Sequence, residues 1–201
     1  MRGIYAILNE ERGILELARA ILDGGVRIVQ YRAKSGVVKE HASDLRLLTR
    51  SRNALFIIND DWRAVQSFDA DGVHLGPDDA SVEQIATIRT NLVDRLIGLS
   101  CGTAEEAQAA QAAGADYAGV GSVFATGSKS DAGAPIGIEG LKRVAAATTL
   151  PVAAIGGINL QNLPAVRATG VAMAAMISAF SSAADPAAAA AELVRIWESA
   201  P

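Results

Sequence analysis

The feature that most constrains the fold is a regular alternation of short apolar runs with longer stretches of helical periodicity. Eight apolar runs predict β-strands at residues 3–8, 26–32, 54–59, 72–75, 96–100, 117–123, 151–155 and 171–177. The stretches after them predict helices at residues 14–23, 37–53, 62–68, 81–91, 103–114, 137–148, 160–169 and 186–199. Repeated strand–helix units indicate a parallel sheet with right-handed crossovers.

Eight such units can close into a (β/α)8 barrel, and we predict one such domain over residues 1–201. The chain is near the lower length limit for this fold, so few insertions are expected. A doubly wound open sheet is the alternative, because repetition alone does not require closure. The barrel is favoured because the apolar strands have similar lengths, and no linker or low-complexity segment divides the chain.

Several helix ends carry recognisable signals. Ser81 is expected to cap one helix, and Thr103 with Glu106 forms the pattern of a capping box. Pro186 stands in the first turn of the last helix, where its missing N–H costs nothing.

The charge balance excludes some classes of partner. The net charge is −4 and no basic block stands out, which argues against nucleic acid or an acidic membrane as a partner. One cysteine excludes an internal disulfide and suits a cytoplasmic protein. No signal peptide is recognised, and the apolar stretch at residues 171–180 is too short to span a bilayer.

Functional residues are expected at the carboxyl ends of the strands, where active sites of such barrels lie. After the second predicted strand come Gln30, Arg32 and Lys34, which alternation places on one side of an extended segment. Three donors, two of them cationic, would suit a polyanion. The alternative is that Arg32 and Lys34 are ordinary surface charges.

The next two strands end in acidic segments. Asn59, Asp60 and Asp61 follow the third strand, and residues 76–79, ending in Asp79, follow the fourth. Neighbouring strands bring these loops together, and paired carboxylates suit a Mg²⁺ ion that also binds a diphosphate. Either Asp60 or Asp61 is also expected to cap the following helix, which leaves the other for the metal.

Ser100 ends the fifth strand. With no His–Asp relay indicated, we interpret it as a positioning hydroxyl rather than a hydrolytic nucleophile. His74 lies within an apolar strand and is interpreted as a hydrogen-bonded core residue.

The loop at residues 124–136 is long and polar. It carries Thr126, Ser128 and Lys129, two hydroxyls and an ammonium group within four residues, which suggests a lid that closes over an anion. A plain solvated loop is the alternative.

The last two strands end in a phosphate-binding pattern. Gly156 and Gly157 follow the seventh strand, and Ile177 and Ser178 follow the eighth. Such loops commonly bind phosphate through backbone N–H groups, and glycine permits close approach. Together the strand ends predict two phosphorylated small-molecule ligands, or one bisphosphate.

These segments, taken together, resemble the thiamine phosphate synthase family. The resemblance covers nearly the whole chain, in order, and rests on VQYRAK (29–34), NDD (59–61), DGVHLGPDD (71–79), GLS (98–100), GADYAGVGSVFATGSK (114–129), AIGGI (154–158) and MISA (176–179). It implies a (β/α)8 transferase that joins hydroxymethylpyrimidine diphosphate to hydroxyethylthiazole phosphate, giving thiamine phosphate and pyrophosphate by a dissociative substitution.

The resemblance also implies roles for individual residues. The pyrimidine diphosphate would be bound by Gln30, Arg32, Lys34, Asn59, Ser100 and Lys129, of which Lys129, Arg32 and Ser100 would act in catalysis. The cofactor Mg²⁺ would be held by Asp60 and Asp79. The thiazole phosphate would be bound by Thr126, Ser128, Gly157, Ile177 and Ser178.

The chain departs from the family pattern at Pro77, Gly102, Ser122, Ala125 and Ser128, which puts the geometry of the loop after the sixth strand in question. A related thiazole tautomerase, which uses a His at the position of Ser122, is the first alternative. A non-catalytic ligand-binding barrel is the second. A phosphosugar isomerase or aldolase is a third, although no apolar strand carries a Lys.

Overall fold

A computed structural model describes residues 1–127 and 134–199 and has a closed barrel of eight parallel strands. Each strand pairs with the next along the chain, and β8 pairs with β1 to close the barrel. The strands are β1 Gly3–Asn9, β2 Ile28–Arg32, β3 Leu55–Asn59, β4 Gly72–Leu75, β5 Leu96–Cys101, β6 Tyr117–Val120, β7 Val152–Ile155 and β8 Met173–Met176. The predicted (β/α)8 barrel is confirmed, and the open sheet is wrong.

Helices follow the strands on the outside of the barrel. They are α1 Ile14–Asp23, α2 Lys39–Ser51, α3 Trp62–Ser67, α4 Val82–Asn91, α5 Ala104–Ala112, α6 Gly137–Ala146, α7 Leu163–Arg167, α8 Ser178–Ser181 and α9 Pro186–Glu198. No helix of the described ranges is long and apolar enough to cross a membrane.

Local side-chain chemistry sets the helix starts. The Asp61 carboxylate accepts hydrogen bonds from the backbone of Arg63 and Ala64, so Asp61 is the member of its acidic pair that caps α3. The capping box of Thr103 and Glu106 at α5 is confirmed. Asp185 caps α9, which was not predicted.

Two features differ from the sequence prediction near the carboxyl ends of the strands. α7 begins at Leu163 rather than at residue 160, because Asn159 and Asn162 accept backbone hydrogen bonds that form a turn first. The four-residue helix α8 directly after β8 was not predicted. Both differences reshape loops next to the cavity described below.

Side-chain alternation along the strands divides the core into two layers. The inner layer fills the barrel with Tyr5, Ile7, Ile28, Ile57, Tyr117, Ala153, Met173 and Ala175. The larger outer layer packs the strands against the helices. Gln30 and His74 are also buried within the barrel.

The end of the barrel at which the strands begin, called here the amino end, is held by ion pairs. Asp71 accepts hydrogen bonds from Arg46 at 2.9 Å and from the Phe56 backbone at 2.8 Å, which joins α2 to the starts of β3 and β4. Asp116 pairs with Arg89 and accepts from the Ile97 backbone, repeating the arrangement at the starts of β5 and β6. These charges connect elements that the barrel must keep in register.

Candidate active site

A cavity of about 710 Å³ opens at the carboxyl ends of the strands, called here the mouth. It is lined by residues from all the loops that were predicted to bind ligands. The predicted site residues on its wall are Arg32, Lys34, Asn59, Asp60, Asp79, Ser100, Thr126, Gly157, Ile177 and Ser178. The structure therefore brings the two predicted anion sites into one cavity.

The remaining three predicted residues are Gln30, Ser128 and Lys129. Ser128 and Lys129 lie outside the described residues. Gln30 lies deeper, where it lines a small cavity within the barrel and is 2% exposed. Contact between Gln30 and the pyrimidine substrate stays a prediction, because it requires the substrate to reach below the main cavity.

Arg32 is positioned as an anion-binding group rather than as a surface charge. Alternation along β2 turns Gln30 and Arg32 inward and Tyr31 outward, as predicted. The Arg32 side chain is 9% exposed and donates to the Asn9 amide oxygen at 3.2 Å. A buried guanidinium beside an open cavity favours binding of an anion, because burial without a counter-charge is costly. Lys34 is exposed at the rim.

Two acidic residues, Asp60 and Asp79, line the wall next to these cations, after the neighbouring strands β3 and β4. The Asp60 N–H donates to the His74 carbonyl at 2.9 Å, which fixes the end of β3 against β4. One Asp79 oxygen accepts from the Gly76 N–H at 2.6 Å, which orients the carboxylate within its loop. Two loops that follow adjacent strands thus contribute carboxylates to one cavity.

The donor set of this wall fits a magnesium ion that is shared with a substrate. Mg²⁺ prefers hard oxygen ligands and commonly uses one or two carboxylates together with substrate phosphates and water. Asp60 and Asp79 supply such a pair. No group of three or more His, Cys, Asp or Glu residues that could hold a metal occurs in the described ranges.

The double glycine after β7 supports the loop after β6. Val123 and Phe124 donate their N–H groups to the carbonyls of Ile155 and Gly156 at 2.9 and 3.0 Å. Gly157 has φ of 65°, and a Cβ atom built on it would lie 2.5 Å from the Ala125 carbonyl oxygen. The sequence analysis expected these glycines to let an anion approach the backbone closely. In the structure they also let the loop after β6 pack closely against the loop after β7.

A chain of five hydrogen-bonded side chains crosses the barrel below the cavity. Gln30 Nε2 donates to the Tyr5 hydroxyl at 2.7 Å, and the hydroxyls of Tyr5 and Tyr117 are 2.9 Å apart. His74 Nδ1 is 3.1 Å from the Tyr117 hydroxyl, and its Nε2 is 3.1 Å from Ser100 Oγ. Burial raises the pKa of both tyrosines well above the ordinary value. Both hydroxyls therefore stay protonated near neutral pH.

Sequence reasoning missed the two tyrosines of this hydrogen-bonded series and the contacts that connect its members. His74 was correctly interpreted as a hydrogen-bonded core residue, but its contact with Ser100 was not predicted. Tyr117, rather than a carboxylate, lies at the second ring nitrogen, in the position that an Asp holds in a serine-hydrolase relay. The available signal was the inward register of two tyrosines, whose hydroxyls must find partners when they are buried.

Cys101 lines the cavity but is not poised as a nucleophile. Burial raises the pKa of its thiol to about 12, so the thiol is protonated near neutral pH.

The fold and this cavity define a (β/α)8-barrel enzyme whose mouth is suited to phosphorylated ligands. The profile of the thiamine monophosphate synthase family matches residues 4–180. The chain belongs to that family.

Individual relatives agree with this assignment. A protein of Caldivirga maquilingensis named thiamine-phosphate synthase is 38% identical, and the alignment covers 99% of this chain and 98% of the relative. A protein of the same name from Archaeoglobus fulgidus is 45% identical over 96% of this chain and 92% of its own length. The solved thiamine phosphate pyrophosphorylase of Pyrococcus furiosus superimposes with a TM-score of 0.87 at 37% identity, covering 98% of this chain and 95% of that one.

Proposed function

We propose that this chain joins 4-amino-2-methyl-5-hydroxymethylpyrimidine diphosphate to 4-methyl-5-(2-hydroxyethyl)thiazole phosphate. The observation that carries the proposal is the single cavity that combines cations and paired carboxylates on one side with the loops after β7 and β8 on the other. One side suits a diphosphate with a metal, and the other suits a monophosphate. Relatives named thiamine-phosphate synthase support the coarser part of the proposal, that the chain forms thiamine phosphate.

The proposed reaction is a substitution at the methylene carbon of the pyrimidine. The C–O bond to the diphosphate breaks first, and its electron pair leaves with the pyrophosphate. The aminopyrimidine stabilises the resulting cation until the thiazole nitrogen donates its lone pair to form the new C–N bond. The products are thiamine phosphate and pyrophosphate, and no general base is required.

The cations of the mouth act where negative charge develops. Arg32 and Lys34 would neutralise the departing pyrophosphate, and an interaction that strengthens along the reaction lowers the barrier. Lys129 is predicted to act with them. Ser100 and Asn59 would orient the substrate from the floor and wall of the cavity.

Asp60 and Asp79 would hold the magnesium ion, and their backbone contacts keep both carboxylates at the cavity wall. A bound Mg²⁺ supplies charge neutralisation for the diphosphate. Gly157, Ile177 and Ser178 would bind the thiazole phosphate, with Thr126 and Ser128 from the loop after β6.

The thiazole tautomerase alternative fits the chain less well. That activity calls for a base at the position of Ser122, which is a hydroxyl residue in this chain. The Ser122 hydroxyl donates to the Phe124 carbonyl at 2.6 Å, which commits it to the loop backbone.

The proposal is tested by incubating the purified chain with both phosphorylated substrates and Mg²⁺ and measuring thiamine phosphate by chromatography. We expect product and pyrophosphate in equal amounts, and no product when either substrate is omitted. Excess chelator should abolish turnover, and added Mg²⁺ should restore it. Failure to form product under saturating conditions would favour a non-catalytic binding barrel. Full activity in excess chelator would mean that the reaction does not need a metal ion.

A further inference from the structure

The side chains beneath the cavity form an ordered relay, and the direction of its hydrogen bonds can be worked out. We infer that the relay from Gln30 through Tyr5, Tyr117 and His74 makes Ser100 a hydrogen-bond donor to the bound substrate. Tyr117 and His74 are then positioning residues, which act on the substrate through Ser100. The inference deepens the proposed function, on which it rests for the identity of the substrate.

The direction is set at the Gln30 end. The Gln30 Nε2 group can only donate, so the Tyr5 oxygen accepts this bond. Within the described chain, the Tyr5 hydroxyl has two hydrogen-bond partners, Gln30 and Tyr117. Its single proton must therefore point at Tyr117, because a fully buried hydroxyl proton without an acceptor is costly.

The same reasoning fixes the direction of the remaining hydrogen bonds, from Tyr117 to His74 and from His74 to Ser100. Tyr117 accepts from Tyr5, so its own proton is available for His74 Nδ1 at 3.1 Å. A neutral imidazole that accepts at Nδ1 carries its proton on Nε2. Nε2 then donates to Ser100 Oγ at 3.1 Å. The Ser100 proton is thereby free to point into the cavity that Ser100 lines.

Two glycines make room for this relay, which indicates that the strands are built around it. Gly98 pairs with Tyr117 in the sheet, and a Cβ atom on Gly98 would lie 2.0 Å from Tyr117 Cζ. A Cβ atom on Gly119 would lie 2.8 Å from His74 Cε1. The rings of His74 and Tyr117 stack with centroids 5.5 Å apart and planes at 29°. Any larger residue at either glycine would displace a member of the relay.

The direction of the hydrogen bond between His74 and Ser100 determines what Ser100 can offer to the substrate. A Ser100 hydroxyl that accepts from His74 offers its proton to an acceptor atom of the substrate, such as a ring nitrogen or a diphosphate oxygen. If the relay ran the other way, Ser100 would donate to His74 and offer the substrate only its lone pairs. The direction therefore decides which substrate atom Ser100 can bind.

The first test reads the His74 tautomer from the ¹⁵N chemical shifts of its ring, without substrate, at neutral pH. The chain has two histidines, so His41→Gln identifies the His74 signals. We expect His74 to be protonated at Nε2 and unprotonated at Nδ1. Tyr117→Phe keeps the ring and removes the donor, and we expect it to give a mixture of tautomers. Protonation at Nδ1 in the parent, alone or with Nε2, would overturn the inference.

The matched control is Tyr31→Phe, which also removes a buried tyrosine hydroxyl. Tyr31 faces the outer layer, where it donates to Glu10. The Tyr31→Phe substitution should therefore leave the His74 tautomer unchanged. If Tyr117→Phe fails to fold, Tyr5→Phe interrupts the relay one step earlier and should also give mixed tautomers. A fixed Nε2–H tautomer in folded Tyr5→Phe and Tyr117→Phe would overturn the relay.

The second test is a double-mutant cycle on turnover. We expect Tyr117→Phe to lower kcat about 3- to 20-fold, as for one weakened hydrogen bond. In a Ser100→Ala background the same change should have no further effect, because Tyr117 acts through Ser100. Multiplying effects would overturn the inference. If the parent protein is inactive but His74 has the expected tautomer, the proposed function is contradicted, while the direction of the relay is still supported.

Discussion

The two ends of the barrel use charge in opposite ways. At the amino end, Asp71 and Asp116 are bound by arginines and by backbone N–H groups at the starts of strands. At the mouth, Arg32, Lys34 and Asp79 form no ion pair within residues 1–127 and 134–199, although all three line the cavity. The charges of Asp71 and Asp116 are paired within the protein, whereas Arg32, Lys34 and Asp79 pair with no opposite charge in those residues.

The two ends of one fold thus separate the residues expected to support stability from those expected to support function. The amino end joins neighbouring strands and helices, so its charges should contribute to folding. In the proposed function, the counter-charges of Arg32, Lys34 and Asp79 arrive with the substrate, so removing one of these groups should change activity more than stability. Substitutions of charged residues at each end test this distinction.

The largest effect is expected for Arg32→Gln. Removing a guanidinium from the path of the leaving pyrophosphate should lower kcat/KM about 100- to 1000-fold, as for loss of a preorganised electrostatic contact. The unfolding midpoint should change little. Steady-state kinetics and thermal unfolding measure the two quantities. The control Arg19→Gln removes the same charge from an exposed position on α1 and should leave both unchanged. Parent-like activity in Arg32→Gln would place the anion site elsewhere.

The next effect belongs to the amino end and appears in stability. Asp71→Asn keeps the shape of the side chain but leaves Arg46, which is 13% exposed, without its full counter-charge. The free energy of unfolding should fall by about 1–3 kcal/mol, measured by urea titration, because a partly buried pair is broken. Turnover should stay within about twofold of the parent. Glu139→Gln, which breaks an exposed pair with Lys142, should not move the midpoint. A large loss of kcat with unchanged stability would contradict the division between the ends.

The smallest effect is expected for Asp69→Asn, which should change how stability depends on pH. Its hydrogen bonds from Arg95 and Arg46 lower the pKa of Asp69 below the ordinary 3.8. Because the folded pKa is the lower one, this contribution to stability is present above about pH 4 and is lost as pH falls through the folded pKa. Asp69→Asn should therefore flatten part of the acid-side decline of the urea midpoint. An identical pH profile in parent and variant would mean that Asp69 is not stabilised by its arginines.

Much of the fold could be predicted because the signals were local. Apolar runs located every strand, and hydroxyl or carboxylate caps located the starts of α3 and α5. Errors arose where tertiary contacts decide the ends. Strand β6 ends at Val120 rather than at residue 123, because Val123 and Phe124 bond to the backbone of Ile155 and Gly156 as part of a loop.

The sequence predicted the charged residues on the wall of the candidate site but not the two tyrosines beneath the cavity. Arg32, Asp60 and Asp79 could be identified because polar residues directly after apolar strands stand out in the sequence. Tyr5 and Tyr117 could not, because a tyrosine in an apolar strand reads as core. Their roles depend on rings from separate strands that meet across the barrel, which closure alone determines.

The most direct test of the division between the two ends measures unfolding with and without pyrophosphate plus Mg²⁺. Binding to the native state should raise the parent's unfolding free energy by about 2.7 kcal/mol at a ligand concentration near 100 times Kd. Asp71→Asn should gain the same increment from a lower starting stability, because its mouth is intact. Arg32→Gln should start near the parent and gain almost nothing. An equal increment in Arg32→Gln, or a lost increment in Asp71→Asn, would contradict the account.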